Sequence, residues 1–372
     1  MTMTDATPLL GGLSPATFMR RHWQKRPLLI RRAVPDVKPL ASRAELFELA
    51  ARDDVESRAV VHQGKGWALK QGPLNRRALP PVSQPEWTLL VQGLDSQLDA
   101  AHALLSRFRF VPYARRDDLM VSWASDGGGV GPHVDSYDVF LLQLQGQRRW
   151  RIAPPGDHTL VPDVPLKILK HFKPEQEWLL EPGDMLYLPP GWGHDGVAVG
   201  ECMTASIGFR AASRSELRND VLQRMLDASE RPDVDPLYRD PSQPATEEPA
   251  RIPSALHDFA AKEVLRLAQE PHAIACALGE VLSELKANVW FDAGAPLEEG
   301  AGVRLDRRSR MLYDDRHVFI NGEAFRAGGR DAKLMRRLAD ERTLPAAQLA
   351  SASDDARELL DQWAQAGWLH SM

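Results

Sequence analysis

Two histidines and one aspartate carry the strongest chemical signal in this sequence. His133 and Asp135 lie in the segment GGGVGPHVD, and His194 lies in DMLYLPPGWGHDG. Residues i and i+2 of a β-strand point to the same face, so the Cα atoms of His133 and Asp135 would be about 7 Å apart, close enough to share one cation. We expect His194 to supply the third ligand, from the start of the strand after the Pro-Pro-Gly turn. Two imidazoles and one carboxylate leave three coordination positions open, which suits Fe(II) and oxygen chemistry.

Each fragment has an ordinary explanation when it is taken alone. An HxD pair occurs by chance in many proteins as a surface pair, and PGxxH is also typical of a simple turn after a strand. Metal binding is favoured because both fragments fall in one β-rich segment, on strands that we expect to be neighbours. The other histidines, among them His62, His102 and His171, lack such a context.

An arginine near this motif predicts a site for an anion. The stretch SYDVFLLQLQGQRRWRIA predicts a strand, a turn at residues 145–147 and a second strand, on which Arg148, Trp150 and Ile152 share one face. A guanidinium on an apolar face is costly unless an anion meets it. Pairing with a protein carboxylate, or a half-solvated face, is one explanation. The other is a bidentate clamp on a dicarboxylate ligand. Beside an iron site this is what 2-oxoglutarate needs, because its keto-acid end chelates the metal and its far carboxylate can meet Arg148.

The composition limits the class of protein. The chain has 372 residues, of which 43% are hydrophobic and 26% are charged, and its net charge is −5. These values are typical of a soluble globular protein and argue against a general nucleic-acid coat. The two cysteines, Cys202 and Cys276, suit a reducing cytosol and offer no disulfide framework. The sequence shows no secretory signal and no apolar run near the roughly 20 residues of a membrane span, so we expect a cytoplasmic protein without a membrane segment.

The elements that must position these residues follow from the pattern of the chain. Ser14 and Pro15 predict the capped start of a helix, and RPLLIRR predicts a strand. Short β-rich runs divided by Gly and Pro fill residues 108–210, which predicts an antiparallel barrel or jelly roll. SRSELRNDVLQRMLDASE then predicts a helix, and residues 230–253 have the Pro-rich composition of a linker.

Two further helices, a strand pair in RMLYDDRHVFINGEAFRA and two last helices, the second ending in WAQAGWLH, complete the pattern. This order resembles a winged-helix module. We therefore predict three domains, residues 1–212, 213–295 and 296–372. One helix of the middle domain carries five apolar side chains on one face, Ile274, Leu278, Val281, Leu282 and Leu285. Because one short helix pair would not bury this stripe, we expect a homodimer through the middle domain.

Taken together, these segments resemble the bacterial JmjC-type ribosomal oxygenases of the cupin superfamily. The resemblance rests on GGGVGPHVDSYDVFLLQLQGQRRWRI, EPGDMLYLPPGWGHDG and HWQKRPLLIRRA, and it is strong over residues 14–210. It implies a mainly β catalytic domain folded as a double-stranded β-helix (the jelly-roll or cupin JmjC fold), a helical dimerisation segment and a C-terminal winged-helix module. It also implies an Fe(II)- and 2-oxoglutarate-dependent dioxygenase that uses O2 to hydroxylate an arginine β-carbon in the sixteenth protein of the large ribosomal subunit.

The resemblance assigns roles to single residues. It implies that His133, Asp135 and His194 hold the iron and that Arg148 binds 2-oxoglutarate. Ser122, on the strand before the glycine run, matches a position that contacts the cosubstrate.

The glycine run at residues 127–131 then indicates a backbone that bends sharply at the mouth of the barrel and leaves room for an inserted peptide loop. Asp126, just before the run, would meet the guanidinium of the target arginine. Alternatively, Asp126 is a turn residue that satisfies its own backbone.

Three rival functions stay open. A JmjC enzyme with another target, such as a histidine hydroxylase or a demethylase, is compatible with the sequence. A cupin metalloenzyme that does not use 2-oxoglutarate is disfavoured by Arg148. Direct DNA binding by the winged-helix-like end is disfavoured because its basic and acidic residues nearly balance and no helix there has a concentrated basic face.

Overall fold

The structure is a computed structural model that describes residues 3–64, 66–228, 237–245 and 247–372. Of the predicted linker 230–253, residues 230–236 and 246 lie outside the described residues. The chain divides into two compact units, Met1–Ala211 with Ala287–Trp290, and Ala212–Lys286 with Phe291–Met372. The first division falls next to the predicted boundary at residues 212 and 213, but residues 287–290 of the predicted middle domain belong to the first unit, and the three-domain division stays a prediction. The boundary predicted between residues 295 and 296 falls inside the second unit and stays a prediction.

The first unit carries the predicted β-rich core. Its helices are α1 (Pro15–Arg21), α2 (Arg43–Ala50), α3 (Leu94–Gln97) and α4 (Asp99–Ser106). Its strands are β1 (Leu28–Ile30), β2 (Ser57–Gln63), β3 (Gly66–Gln71), β4 (Trp87–Val91), β5 (Arg116–Ala124), β6 (His133–Val134), β7 (Asp138–Ala153), β8 (Gln176–Leu180), β9 (Met185–Leu188) and β10 (Gly193–Phe209). The predicted cap of α1 is confirmed, because the Ser14 side chain accepts a hydrogen bond from the Thr17 backbone N–H at 3.2 Å.

These strands form one antiparallel sheet in the order β1-β9-β7-β10-β5-β4-β2-β3, to which β6 and β8 are attached through β10 and β7. The long strands β7 and β10 take part in both halves of the fold. The first part of β7 pairs with β9 and its last part pairs with β8. The start of β10 pairs with β6 and its last part pairs with β5. This is the predicted double-stranded β-helix.

Apolar residues cover both faces of the sheet. On one face Phe140 and Tyr187 join a large cluster that α1 covers through Phe18, whose ring centroid lies 4.9 Å from that of Tyr187. On the other face a smaller cluster includes Val139, Leu141, Trp150, Ile152, Leu180, Leu186 and Leu188. The alternation of side chains along β7 separates the two clusters, and the smaller one lines the interior of the barrel.

The turn predicted at residues 145–147 is wrong, because β7 runs without interruption through them. Gly146 has a φ of 62°, and a Cβ at this position would lie 2.2 Å from the carbonyl oxygen of Glu201 on β10. Glycine is therefore required for a close approach to an irregular part of β10, where the register between the two strands shifts.

The second unit contains the predicted helices and a small β module. Its helices are α5 (Arg214–Ala228), α6 (Ser254–Gln269), α7 (Ala273–Ser283), α8 (Gly329–Glu341), α9 (Ala346–Leu349) and α10 (Asp354–Gln365). Its strands are β11 (Val303–Leu305), β12 (Met311–Tyr313), β13 (His317–Ile320), β14 (Glu323–Arg326), β15 (Thr343–Leu344) and β16 (Leu369–Ser371). They form two sheets, β15-β11-β16 and β12-β13-β14. None of the described helices is long and apolar enough to cross a membrane.

Two details of the C-terminal prediction are wrong. The predicted strand pair is a three-stranded meander, because Asn321 and Gly322, with φ of 52° and 91°, make a second tight turn. The last helix ends at Gln365 rather than continuing to the histidine of WAQAGWLH. Gly367 has a φ of 77° and leads the chain into β16.

A partly buried carboxylate stabilises the end of this module. Asp306 accepts hydrogen bonds from Arg308 Nε at 2.8 Å and from His370 Nε2 at 3.0 Å. Burial raises the pKa of Asp306, but these two partners outweigh it and lower the pKa to about 2.

Candidate metal centre

The structure brings the three predicted metal ligands together. β6 pairs with the start of β10, and His133 lies directly opposite His194 in the register. Asp135 follows β6 on the same side as His133. One ligand atom from each of the three residues lies within 4.8 Å of the other two, and they are the only such metal-type cluster found among the described residues.

The hydrogen bonds of the two imidazoles orient them for metal binding. His133 Nδ1 lies 2.8 Å from the carbonyl oxygen of Gly131, and His194 Nδ1 lies 3.0 Å from that of Trp192. Since a carbonyl oxygen can only accept, both Nδ1 atoms carry the proton and both Nε2 atoms face Asp135. The Nε2 atoms lie 3.9 Å and 3.5 Å from its carboxylate oxygens. Such outer partners fix the tautomer of metal-binding histidines.

The electrostatics of the cluster also match a cation site. Burial, and then the nearby His194, lower the pKa of His133 to about 4. Burial raises the pKa of Asp135, but the hydrogen bond and charge of His194, with smaller contributions from His133 and Tyr137, lower it to about 2. Burial lowers the pKa of His194, but the hydrogen bond and charge of Asp135 outweigh it and raise the pKa. The carboxylate thus favours positive charge at His194, on the side where a metal ion would bind.

Arg148 lies inside the same barrel with part of its guanidinium unsatisfied. The residue is only 5% exposed. Its Nη1 donates a weak hydrogen bond, 3.4 Å long, to the Ser122 hydroxyl. Nε and Nη2 find no hydrogen-bond partner in the part of the chain that the structure describes. A buried cation with two free donors on one edge is a ready site for a carboxylate. The predicted face is confirmed, since Arg148, Trp150 and Ile152 are buried while Arg149 pairs with Glu177 outside.

Ser122 lies next to Arg148, as its predicted role requires. It is 4% exposed, and its hydroxyl reaches the carbonyl oxygen of Thr204 at 3.4 Å. The Thr204 hydroxyl in turn donates to the Gln143 side chain at 2.9 Å. These three polar residues form one wall of the interior beside the guanidinium.

Asp126 has a different environment. It is exposed, and its carboxylate accepts a hydrogen bond from the Gly200 backbone N–H at 2.8 Å. Its own carbonyl accepts from the Glu86 backbone N–H at 2.8 Å. These bonds are those of a residue that fixes a turn, so the role of Asp126 toward a substrate stays a prediction.

The glycine run serves close packing next to the ligands. A Cβ at Gly128 would lie 2.4 Å from the carbonyl oxygen of Trp87. Gly131, whose carbonyl holds His133, has a φ of 78°, and a Cβ there would lie 2.8 Å from the Trp67 ring. Side chains at these two positions would displace the strand that carries His133.

Tyr137 is a site residue that the sequence argument missed. It lies two positions after Asp135 in the chain, and its hydroxyl makes a small contribution to the lowered pKa of that carboxylate. Burial, and then the charge of Asp135, raise the pKa of Tyr137, which keeps it protonated as a donor. The same two-residue spacing that linked His133 to Asp135 could have indicated it.

A partly buried two-histidine, one-carboxylate cluster inside a double-stranded β-helix defines a mononuclear metal site of the cupin type. Two families match the chain, the JmjC domain over residues 103–217 and the ROXA-like winged helix over residues 266–370. The ribosomal protein uL16 3-hydroxylase of Escherichia coli (strain K12) is 33% identical over 355 residues, which cover 91% of this chain and 92% of that protein.

Two further relatives agree. The probable ribosomal oxygenase of Haemophilus influenzae is 29% identical and covers 96% of both chains. The structure of YcfD, a ribosomal oxygenase from Escherichia coli, in complex with cobalt and 2-oxoglutarate is 31% identical, has a TM-score of 0.78 and covers 96% of this chain and 97% of that one. The chain belongs to the family of JmjC-domain ribosomal oxygenases.

Proposed function

We propose that this protein is an Fe(II)- and 2-oxoglutarate-dependent oxygenase that hydroxylates the β-carbon of an arginine in the ribosomal protein uL16. One observation carries the proposal. The barrel interior holds both a His-Asp-His cluster and a buried guanidinium with two unsatisfied donors. The name of the Escherichia coli relative, a uL16 3-hydroxylase, supplies the substrate. Because the proposed substrate is a ribosomal protein, we propose that the reaction takes place in the cytoplasm.

The donor set of the cluster fits iron. His133, Asp135 and His194 would hold the ion through two neutral imidazole nitrogens and one carboxylate oxygen. Three protein ligands are too few for a closed structural site and leave positions for other ligands. Tyr137 would keep the carboxylate oriented.

The interior also fits the cosubstrate. The free Nε–Nη2 edge of Arg148 would bind one carboxylate of 2-oxoglutarate in bidentate form, and the Ser122 hydroxyl lies beside it. The apolar side chains of the small interior cluster exclude water around this charge pair. A guanidinium–carboxylate pair is stronger in such an environment than at the surface.

When bound, iron and 2-oxoglutarate together supply the oxidising chemistry, in which O2, 2-oxoglutarate and the substrate C–H bond give succinate, CO2 and the alcohol. The chain's own residues bind and orient the reactants. They hold protons at fixed atoms, on Nδ1 of both histidines and on Tyr137, and none of them has to transfer one. The protein's contribution is therefore positioning in a dry site.

The decisive experiment is turnover of a defined substrate. The protein, reconstituted with Fe(II) under anaerobic conditions, is mixed with 2-oxoglutarate, O2 and a uL16 fragment. We expect succinate in step with the addition of one oxygen atom to an arginine, mapped by tandem mass spectrometry. Oxidation of a histidine would favour the histidine-hydroxylase alternative. Failure to form succinate with any ribosomal protein would contradict the proposal.

We also propose that the protein is a homodimer formed through residues 213–295, with residues 296–372 as the winged-helix module. Within the described residues, α6 has no buried side chain, and Val264 and Leu265 are 70% and 57% exposed. Part of the α7 stripe is instead used inside the unit, because Leu278 packs against the cluster of Val221 and Met225 on α5, whereas Ile274 is 52% exposed. An α-helix with an uncovered apolar surface is typical of an oligomer interface.

Sedimentation tests this assembly. Changing Val264 and Leu265 together to glutamate should convert a dimer to a monomer, because both charges would enter the interface. The double change of Leu278 and Leu282 should weaken the dimer mainly by loosening the unit, which a lower melting temperature would reveal. A wild-type protein that sediments as a monomer at micromolar concentration contradicts the proposal.

A further inference from the structure

Trp150 carries a buried N–H group that no protein atom satisfies. The residue is 5% exposed, and its indole Nε1 has no hydrogen-bond partner among the residues that the structure describes. Most buried polar atoms in proteins are hydrogen-bonded, and an unmade bond of this kind is costly. A cluster of aliphatic side chains packs around this indole. Its N–H group therefore needs a partner from outside the chain.

The position of the indole shows which partner it would meet. Trp150 stands two residues after Arg148 on the interior face of β7. Its ring centroid lies 5.8 Å from the Arg148 guanidinium carbon, which lies over the ring, and 5.9 Å from the centroid of the His194 ring. The indole is thus close to both the anion site and the metal cluster.

The backbone on the neighbouring strand is adapted to this ring. Gly196 lies opposite Trp150 in the pairing of β10 with β7. A Cβ at Gly196 would lie 2.6 Å from the six-membered part of the indole. Glycine therefore makes room at β10 for the six-membered part of the ring, and the N–H group belongs to the five-membered part, which is not among the atoms nearest Gly196.

We propose that Trp150 is a positioning residue whose indole N–H donates a hydrogen bond to a carboxylate oxygen of the dicarboxylate cosubstrate. This inference rests on the proposed function. A dicarboxylate extending from Arg148 to the metal cluster must pass the indole, and its carboxylates are strong acceptors that carry no donor of their own. The unsatisfied Nε and Nη2 groups of Arg148 and the unsatisfied N–H group of Trp150, on the same strand, would then bind a single anion.

Nuclear magnetic resonance of the indole N–H groups tests the contact directly. The wild-type protein is labelled with 15N, loaded with Zn(II) so that no turnover occurs, and titrated with 2-oxoglutarate. We expect the Trp150 signal to move downfield and to exchange more slowly with water, as a charge-assisted bond forms. The signal is assigned by its absence from Trp150→Phe, and independently in the wild type by its broadening when Mn(II) replaces Zn(II). The second assignment is available even if the variant does not fold.

Affinity measurements supply the matched comparison. Trp150→Phe retains one aromatic ring and loses the donor together with the second ring of the indole, so 2-oxoglutarate should bind about 10-fold or more weakly. Trp178→Phe makes the same change at the residue opposite Trp150 on β8 and should leave the affinity unchanged. A Trp150 signal that does not respond while 2-oxoglutarate binds, or an unchanged affinity in Trp150→Phe, overturns the inference. A wild-type protein that binds no 2-oxoglutarate overturns the proposed function as well.

Discussion

Replacing Arg148 with methionine should separate ligand binding from folding, because the two quantities are expected to change in opposite directions. Methionine keeps a long side chain in the small interior cluster and removes the charge. In the absence of 2-oxoglutarate the wild type buries a guanidinium whose only hydrogen bond to the described residues is the 3.4 Å contact to Ser122. Exchanging a poorly paired buried ion for an apolar side chain of similar size is often neutral or stabilising. We expect the free energy of unfolding to stay constant or to rise by about 1 kcal/mol.

The effect on binding is expected to be large. The guanidinium offers two free donors, Nε and Nη2, and hydrogen bonds to charged groups contribute about 1.5–3 kcal/mol each. Losing both bonds corresponds to a loss of at least about 100-fold in 2-oxoglutarate affinity, since each 1.4 kcal/mol is about tenfold. Arg148→Lys keeps the positive charge but lacks the bidentate pair of N–H donors, so it should recover only part of the lost affinity.

Isothermal titration of the Mn(II)-loaded protein measures the affinity, and urea unfolding of the metal-free protein measures the stability. Arg149→Met is the matched control, because Arg149 lies on the opposite face of the same strand. Its pair with Glu177 is half exposed and contributes little. Normal 2-oxoglutarate affinity in Arg148→Met would refute the assignment. A loss of several kcal/mol of stability would show that the guanidinium holds the fold together.

Three further predictions use other parts of the chain. His133→Ala and Asp135→Ala should each lose bound metal and succinate formation while the circular dichroism stays native, and turnover at the wild-type rate in both would contradict the metal assignment. If the charge of Asp126 binds the target guanidinium, Asp126→Asn and Asp126→Ala should both lose hydroxylation of the uL16 fragment to the same extent and should both still bind 2-oxoglutarate. Asparagine can still accept a hydrogen bond from the Gly200 N–H, so normal hydroxylation by Asp126→Asn would indicate that Asp126 only fixes the turn. The pKa of Asp306 is lowered to about 2 in the folded protein, from an unfolded value near 4. Its ionised form therefore contributes about 2 kcal/mol to the free energy of unfolding above about pH 4, and this contribution is lost as the pH falls from about 4 to 2. The difference in unfolding free energy between the wild type and Asp306→Asn should disappear over that range, and a constant difference would contradict the pairing.

Local patterns were sufficient to predict the groups that carry the chemistry. The two-residue period of a strand placed His133 beside Asp135, and the turn before His194 placed the third group at the start of a strand. Both arguments depend only on backbone geometry, and both are confirmed as placements in the structure. The sequence left two roles open for Asp126, binding of the target guanidinium or fixing of a turn, and the structure is compatible with both. A carboxylate next to a glycine run can satisfy a backbone N–H or meet a ligand, and the structure gives it the Gly200 N–H.

Features that depend on contacts distant in sequence could not be predicted. The exposure of α6 and the internal packing of α7 against α5 follow from tertiary packing, which a periodic stripe does not specify. The unsatisfied atoms of Arg148 and Trp150 are likewise visible only when every neighbouring side chain is in place.

The irregularity at Gly146 explains how a wrong turn prediction still placed Arg148 on the correct face. Before this glycine, the odd-numbered residues Val139 and Leu141 point into the interior cluster, whereas after it the even-numbered Trp150 does so. In a regular strand the side-chain period of two would carry the odd positions inward along its whole length and leave Arg148 facing the large cluster. The register shift near Gly146 reverses this parity. Removing one residue from the irregular segment should therefore give a regular strand in which Arg148, now one position earlier, still faces the metal cluster, so that 2-oxoglutarate binding is retained. A deletion variant that folds with Arg149 facing inward and no longer binds 2-oxoglutarate would contradict this account of the strand.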